Sequence, residues 1–424
     1  MADATTSKPS WLEQAAHRLE GLSAAAGESF QAGLQRLRRA KDGLPYHIDA
    51  YRGMVDGSGR CRLSGRVLAR PVGGGPRSED TWWDNLLNSY RRFDSERLPG
   101  VRVDISFQGY TATATSDADG YYEAEFALEK ATCDTLWHTA QVRRSEGGPA
   151  FPQPVLCVPE TVRIGLISDI DDTVLESNIS HWQSAIQTTF LRNARTRKPL
   201  EGVAELYQAF QKGPDNAGTN PIFYVSASPW NVYDLLVDFM ALNAIPDGPI
   251  LLRDINFDRA SLMHNAGPVS KLGKIHDIID RYPALQWVLV GDSGQIDAEL
   301  YAQTVEKYPG RILAVYIRDI DLAADTARDK FVQSHIERIA ASKVPMLLVA
   351  NGNAIAEHAR TLGLIAPEAI KDVAKDVARD HARPDVKQAV KEELKQAGAV
   401  VADAVQAAVT PGEAQASAPT GGSA

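Results

Sequence analysis

Between Thr161 and about Gly363 the chain alternates short apolar runs with helical stretches, and this alternation restricts the fold more than any other feature. The runs are Arg163–Ile167, Ile222–Val225, Ile250–Leu252, Gln286–Val290, Ile312–Ile317 and Met346–Leu348. Strands separated by helices predict a parallel sheet in an α/β domain. In open α/β sheets ligands bind where the strands end at their carboxyl side. The residues that follow each run therefore carry the functional information.

The first run ends in Asp169-Ile170-Asp171-Asp172-Thr173. Carboxylates packed together raise one another's pKa and resist ionisation. A hard dication relieves that cost, and carboxylate oxygens with water are the ligands Mg²⁺ prefers. The plainer reading is a solvated acidic turn or a helix N-cap. The second run ends in Ser226-Ala227-Ser228-Pro229, where hydroxyls and backbone N–H groups at a helix start can cradle a phosphate. The fourth ends in Gly291-Asp292-Ser293-Gly294-Gln295-Ile296-Asp297, which puts Asp292 at a strand tip, placed to complete a Mg²⁺ shell. Lys271 or Lys274, between these segments, is suited to neutralise phosphate charge; either taken singly also reads as a solvent-facing lysine.

Taken in order, Asp-x-Asp-x-Thr, a strand-end Ser, a Lys and Gly-Asp-x-x-x-x-Asp resemble the four motifs of the haloacid dehalogenase superfamily. The strings Ile167–Thr173, Tyr224–Trp230, Val290–Tyr301 and Tyr316–Asp319 narrow the resemblance to the actin-patch phosphatidate phosphatase family, over about residues 161–363. It implies a Rossmann-like parallel sheet and a Mg²⁺-dependent phosphatase. Asp169 would be the nucleophile, Asp171 the general acid and base, and Lys271 the residue holding the phosphorylated state. Ser226, with Ser228 and Thr173, would bind the phosphoryl oxygens. Asp169, Asp171 and Asp292 would hold Mg²⁺, with Asp297 as a supporting carboxylate that orients the lysine. Ser228 in place of Ser226, and Lys274 in place of Lys271, stay open, the family's spacing to Tyr282-Pro283 favouring Lys271. A halide needs no proton to leave whereas an alkoxide does, so Asp171 favours phosphatase over dehalogenase. The family implies phosphatidate or a related lipid phosphate as substrate. A soluble small-molecule phosphatase, a non-catalytic adaptor and a lipid-surface binding module are the alternatives.

Residues 45–160 differ in character. The β-rich runs Cys61–Ala69, Val101–Gln108, Tyr110–Thr115, Tyr121–Ala127 and Trp137–Arg143 predict a small antiparallel sandwich. Asp119-Gly120 marks a hairpin turn between Tyr110–Thr115 and Tyr121–Ala127. A polar insertion, Pro71–Arg97, carries Trp82 and Trp83. The family's bacterial members carry a β domain here, which Tyr51-Arg52-Gly53 and Gly65-Arg66-Val67-Leu68 resemble. Residues 1–44 read as a helical extension whose Leu12, Ala15, Leu19 and Leu22 share a face and whose end is basic (Arg36, Arg38, Arg39, Lys41). It suits docking on a domain or a peripheral membrane contact. Ser177–Leu200 reads as core or as a small cap. Residues 364–424 read as a solvated, partly amphipathic helix to about Val409 followed by a disordered tail.

A formal net charge of −9 argues against nucleic-acid binding through phosphate contacts. Neither end carries a long apolar run, so no membrane span or secretory segment is expected. Cys61, Cys133 and Cys157 fit neither a disulfide framework nor a zinc site, which makes a reducing cytoplasm the expected compartment.

Overall fold

The computed structural model describes residues 46–69, 97–170, 201–253, 271–294, 296–320 and 326–382. The expected N-terminal helix, the Trp82–Trp83 insertion, Asp171, Thr173, Ser177–Leu200 and the final tail lie outside the described residues. The strands, in chain order, are β1 (Tyr46–Ala50), β2 (Gly53–Val55), β3 (Arg60–Ala69), β4 (Arg102–Phe107), β5 (Tyr110–Thr115), β6 (Tyr121–Ala127), β7 (Trp137–Arg144), β8 (Phe151–Cys157), β9 (Ile164–Asp169), β10 (Ile222–Pro229), β11 (Ile250–Arg253), β12 (Gln286–Asp292), β13 (Ile312–Arg318) and β14 (Met346–Val349). The helices are α1 (Val203–Lys212), α2 (Tyr233–Leu242), α3 (Lys271–Arg281), α4 (Asp297–Lys307), α5 (Ala327–Ile339), α6 (Gly352–Thr361) and α7 (Ala369–Ala382). Among the described residues, no helix is long and apolar enough to cross a membrane.

Two compact units interleave along the sequence. One comprises residues up to Tyr51 with Ser64–Ala124 and Ala140–Gln153; the other takes Arg52–Leu63, Glu125–Thr139 and everything from Pro154 on. In the first, β1 runs antiparallel to the second half of β3, and β4 pairs antiparallel with both β5 and β7. Val103, Ile105, Ala140 and Val142 are fully buried there. The expected β5–β6 hairpin does not form, because β5 pairs with β4 and β6 with β3. The Asp119-Gly120 turn is real, with Asp117 Oδ1 accepting the N–H groups of Asp119 at 2.8 Å and Tyr121 at 2.9 Å. It steers the chain to a different neighbour because turn chemistry sets local direction, not partner.

In the second unit, β2 runs parallel to β8, a departure from the expected all-antiparallel arrangement. The turn after β2 is tied to the end of α3. Gly57 N–H donates to Arg281 C=O at 2.9 Å, and the Tyr282 hydroxyl donates to Val55 C=O at 3.0 Å. Cys133 and Cys157 are joined in a disulfide that closes a separation of 24 residues, contrary to the expectation of unpaired cysteines; Cys61 is free and buried. Spacing along the chain does not reveal which residues folding brings within bonding range.

The sheet of this unit has the order β11-β10-β9-β12-β13-β14, and every pairing is parallel. Each of the six expected strands is present, extended by a few residues at most. Its faces follow from register. Ile167, Phe223, Leu289 and Val315 lie in one row and join a core with Ile275, Ile278 and Ile279 of α3, Ala298 and Tyr301 of α4 and Val332 of α5. The next row, Ser168, Tyr224, Val290 and Tyr316, faces the other side. There Tyr207 of α1 meets Ser168, and His358 of α6 meets Tyr316. The chain leaves β9 toward β10 on one side and returns to β12 on the other. That reversal makes the carboxyl ends of β9 and β12 the topological switch point of the sheet.

Helix α7 is partly amphipathic, as expected, with one face exposed and the other packed. Val373 is fully buried, and Asp376 and Asp380 are buried as well. Asp380 Oδ2 accepts the Gly202 N–H at 3.0 Å and Asp376 Oδ2 the Glu205 N–H at 3.2 Å. Helix α1 has no side-chain cap of its own at Gly202. Two carboxylates from a remote helix thus satisfy the orphan donors at its start.

Candidate active site

The carboxyl ends of these strands carry residues singled out in the sequence. Asp169 ends β9, and its neighbours in register are Val225 of β10 on one side and, one residue earlier, Val290 of β12 on the other. Asp292 ends β12, and Asp297 opens α4 five residues later. Lys271 is the first residue of α3. Carboxylate oxygens of Asp169, Asp292 and Asp297 all lie within 4.8 Å of one another.

Lys271 ties the cluster together. Its Nζ lies 2.7 Å from Asp169 Oδ1 and is hydrogen-bonded to Asp297 Oδ1. The Asp297 side chain is fully buried, and those of Asp169 and Lys271 are 3% and 9% exposed. Asp297 Oδ2 accepts the Asp292 N–H at 3.2 Å, and Asp292 Oδ1 accepts the Gly294 N–H at 2.7 Å. Asp169 Oδ2 has no hydrogen-bond partner among the described residues.

The electrostatics follow from burial. Loss of water, with Asp297 and then Asp292 nearby, pushes the Asp169 carboxyl well above its ordinary range despite the opposing pull of Lys271. Burial pulls Lys271 down, but the charges of Asp169 and Asp297 and the hydrogen bonds to both outweigh it, so its ammonium is held more firmly than usual. One cation among three carboxylates leaves an excess of negative charge. An oxygen-only donor set with an unpartnered buried carboxylate oxygen fits a hard dication.

The remaining expected residues divide. Ser226 and Ser228 are both buried at the end of β10, and the Ser226 Oγ accepts the Ser228 N–H at 2.9 Å. Lys274, one turn after Lys271, donates to the Ser226 C=O at 3.4 Å; Lys271 is the lysine that reaches Asp169. Asp297 joins the carboxylate cluster while also holding the lysine, where the expected metal set was Asp169, Asp171 and Asp292. Asp171 and Thr173 lie outside the described residues.

Sequence reasoning missed Ser168 and Tyr207. Ser168 Oγ donates to the Asp169 C=O at 2.8 Å and lies 2.7 Å from the Tyr207 hydroxyl. Ser168 stood inside the quoted motif, but Tyr207 carried no signal beyond that of a helix-core aromatic. Arg318, inside another quoted string, lies in register with Asp292 at the same sheet edge.

Residues 164–319 match the model of a family described as phosphatidate phosphatase APP1, catalytic domain. The chain is 33% identical over 156 residues to phosphatidate phosphatase APP1 of Saccharomyces cerevisiae, covering 37% of this chain and 26% of that protein. It is 30% identical over 161 residues to an uncharacterized protein of Schizosaccharomyces pombe, covering 37% of this chain and 25% of the relative. A solved carbohydrate acetylesterase from Xanthomonas citri shares 13% identity over 76% of this chain and 75% of its own, but a TM-score of 0.27 carries no argument. The chain spans about a quarter of the length of the curated relatives it matches. The stretch from β9 to the end of β13, which holds Asp169, Ser226, Lys271, Asp292 and Asp297, is similar to the catalytic domain of a phosphatidate phosphatase.

Proposed function

We propose that this protein is a Mg²⁺-dependent phosphomonoester phosphatase with a haloacid dehalogenase-like fold, acting through an aspartyl-phosphate on Asp169. The observation that carries the reading is the Asp169 carboxylate. One oxygen is pinned by Lys271, and the other is unpartnered among the described residues, at the open end of the sheet. The strand order, with its reversal between β9 and β12, supports the doubly wound fold.

Asp169, Asp292 and Asp297 would hold the ion. When bound, Mg²⁺ supplies charge neutralisation for the carboxylates and the phosphoryl oxygens. Asp169 Oδ2 attacks phosphorus, forming a carboxyl O–P bond as the ester P–O bond breaks. Lys271 keeps Oδ1 turned away and offers positive charge beside the transferring group. The leaving alkoxide takes a proton from Asp171, which then accepts one from the water that releases inorganic phosphate. Ser226, with Ser228 or Thr173, binds phosphoryl oxygens.

The substrate in this reading is phosphatidate or a related lipid phosphate, met at a membrane surface. Besides the similarity to a phosphatidate phosphatase, two of the exposed large aliphatic side chains flank the site. Ile296 precedes Asp297 and is 54% exposed; Ile320, two residues past Arg318, is 41% exposed. A cytoplasmic location would require the Cys133–Cys157 bridge to survive a reducing milieu, where disulfides are uncommon. Thiol trapping in intact cells tests that point.

The deciding experiment measures phosphate release from lipid and soluble esters, with Mg²⁺ and with chelator, for wild type and Asp169→Asn. The expected result is Mg²⁺-dependent turnover, highest on lipid, that Asp169→Asn abolishes. Turnover only of soluble esters would select the soluble phosphatase; none on any ester would select a binding protein.

A further inference from the structure

We infer that Tyr207 is a positioning residue for Asp169, acting through Ser168; the inference rests on the reading of Asp169 as nucleophile. Asp169 stands at the end of β9, and the Ile170 N–H that follows it donates to the Val225 C=O of β10 at 3.2 Å. The peptide that aims the carboxylate also has side-chain support.

Ser168 and Tyr207 supply it. Ser168 Oγ donates its proton to the Asp169 C=O at 2.8 Å, so at 2.7 Å from the Tyr207 hydroxyl it acts as acceptor. Both residues are buried, at 1% and 4% exposure, which excludes water as a substitute. Burial also pushes the Tyr207 phenol up, keeping it a neutral donor at any working pH. Helix α1, which carries Tyr207, is held at its start by Asp376 and Asp380 of α7. The contact from Tyr207 to Asp169 is thus built on an anchored element.

Misplacing a reacting group by about 1 Å can cost about 10²-fold in rate. Loss of one supporting hydrogen bond should cost less. Tyr207→Phe, which keeps the ring, should lower the single-turnover rate about 5- to 30-fold with KM within about twofold of wild type. Ser168→Ala should do the same. The double variant should lose little more than the larger single loss, because both remove one connected contact.

Tyr224→Phe separates positioning from stability. Tyr224 is equally buried and packs against Tyr207 at 6.4 Å between ring centroids, but its hydroxyl donates to Pro246 C=O at 2.7 Å. It should lose a similar amount of stability and keep its rate. A Tyr207→Phe rate within twofold of wild type overturns the inference, as does an equal rate loss in Tyr224→Phe. If these outcomes arise while Asp169→Asn is inactive, the inference alone fails. An active Asp169→Asn overturns the nucleophile reading as well.

Discussion

The carboxylate of Asp297 folds against Gly291 so closely that a Cβ at position 291 would stand 2.5 Å from Asp297 Oδ2 and 2.8 Å from its Cβ. Real Cβ atoms do not approach that near, so the glycine is what lets α4 bring Asp297 under the tip of β12. Gly291→Ala should lift Asp297 from the Asp292 N–H and from Lys271. The expected cost is about 1–3 kcal/mol of stability, with at least a tenfold fall in phosphate release. Chemical denaturation and initial rates check it. Unchanged rates would show that α4 yields without moving the carboxylate.

Lys271→Met leaves Asp169 and Asp297 buried without their shared cation. Breaking a buried pair costs about 3–5 kcal/mol, although protonation of Asp169 would reduce that. With chelator, the denaturation midpoint should fall well below wild type. Mg²⁺ should recover part of the loss, and more in the variant than in wild type. Equal losses with and without Mg²⁺ would count against a dication among these carboxylates.

Asp376→Ala and Asp380→Ala each strip α1 of an acceptor at its start. Each should lower stability by about 1–2 kcal/mol, and Asp376→Asn, which keeps an oxygen, by less. Equilibrium denaturation measures the difference. No loss in either alanine variant would mean that α7 contributes nothing to holding α1.

The double substitution Ile296→Ser and Ile320→Ser removes the aliphatic pair beside the site. Turnover of a soluble aryl phosphate should stay within about twofold, while turnover of a lipid phosphate in vesicles should fall about tenfold as apolar contact is lost. Parallel losses on both substrates would place these residues in the chemistry instead of at a lipid surface.

The pH dependence that two histidines contribute to stability carries a definite sign. Burial, then the Lys307 charge, holds the His276 imidazole below its ordinary 6.5, and burial does the same to His358. The unfolded chain therefore binds more protons in this range, so stability rises with pH. The contribution is complete above 6.5 and is lost as pH falls through the lower folded values. Melting temperature should drop more between pH 7.5 and 5 in wild type than in the double change to Gln; the raised Asp169 carboxyl, present in both, acts with the opposite sign. An unchanged slope would assign the acid sensitivity to other groups.

Much of the site was legible before any fold was known. Apolar runs of strand length report burial locally, and Asp169, Ser226 and Asp292 each sit at the end of one, so sequence order already implied a shared sheet edge. Pairing in the β-rich region was not legible, because Tyr110–Thr115 and Tyr121–Ala127 look equally ready to join each other. The actual partner of Tyr110–Thr115 is β4, joined to it by a two-residue turn in which Gln108 and Gly109 both take positive φ, whereas β6 finds β3 at long range.

By itself the sequence determined the parallel strands, the strand-end aspartates and a lysine close enough in order to serve them. Those features depend on local periodicity and on residue chemistry, both written in adjacent positions. Only the tertiary structure decided that Lys271 spans Asp169 and Asp297, that Cys133 meets Cys157, that α7 caps α1 and that Tyr207 reaches Ser168. Each of these joins residues between 24 and 178 positions apart, within or beside a buried region. Their pairing is settled by which surfaces exclude water together, and no local pattern along the chain encodes that choice.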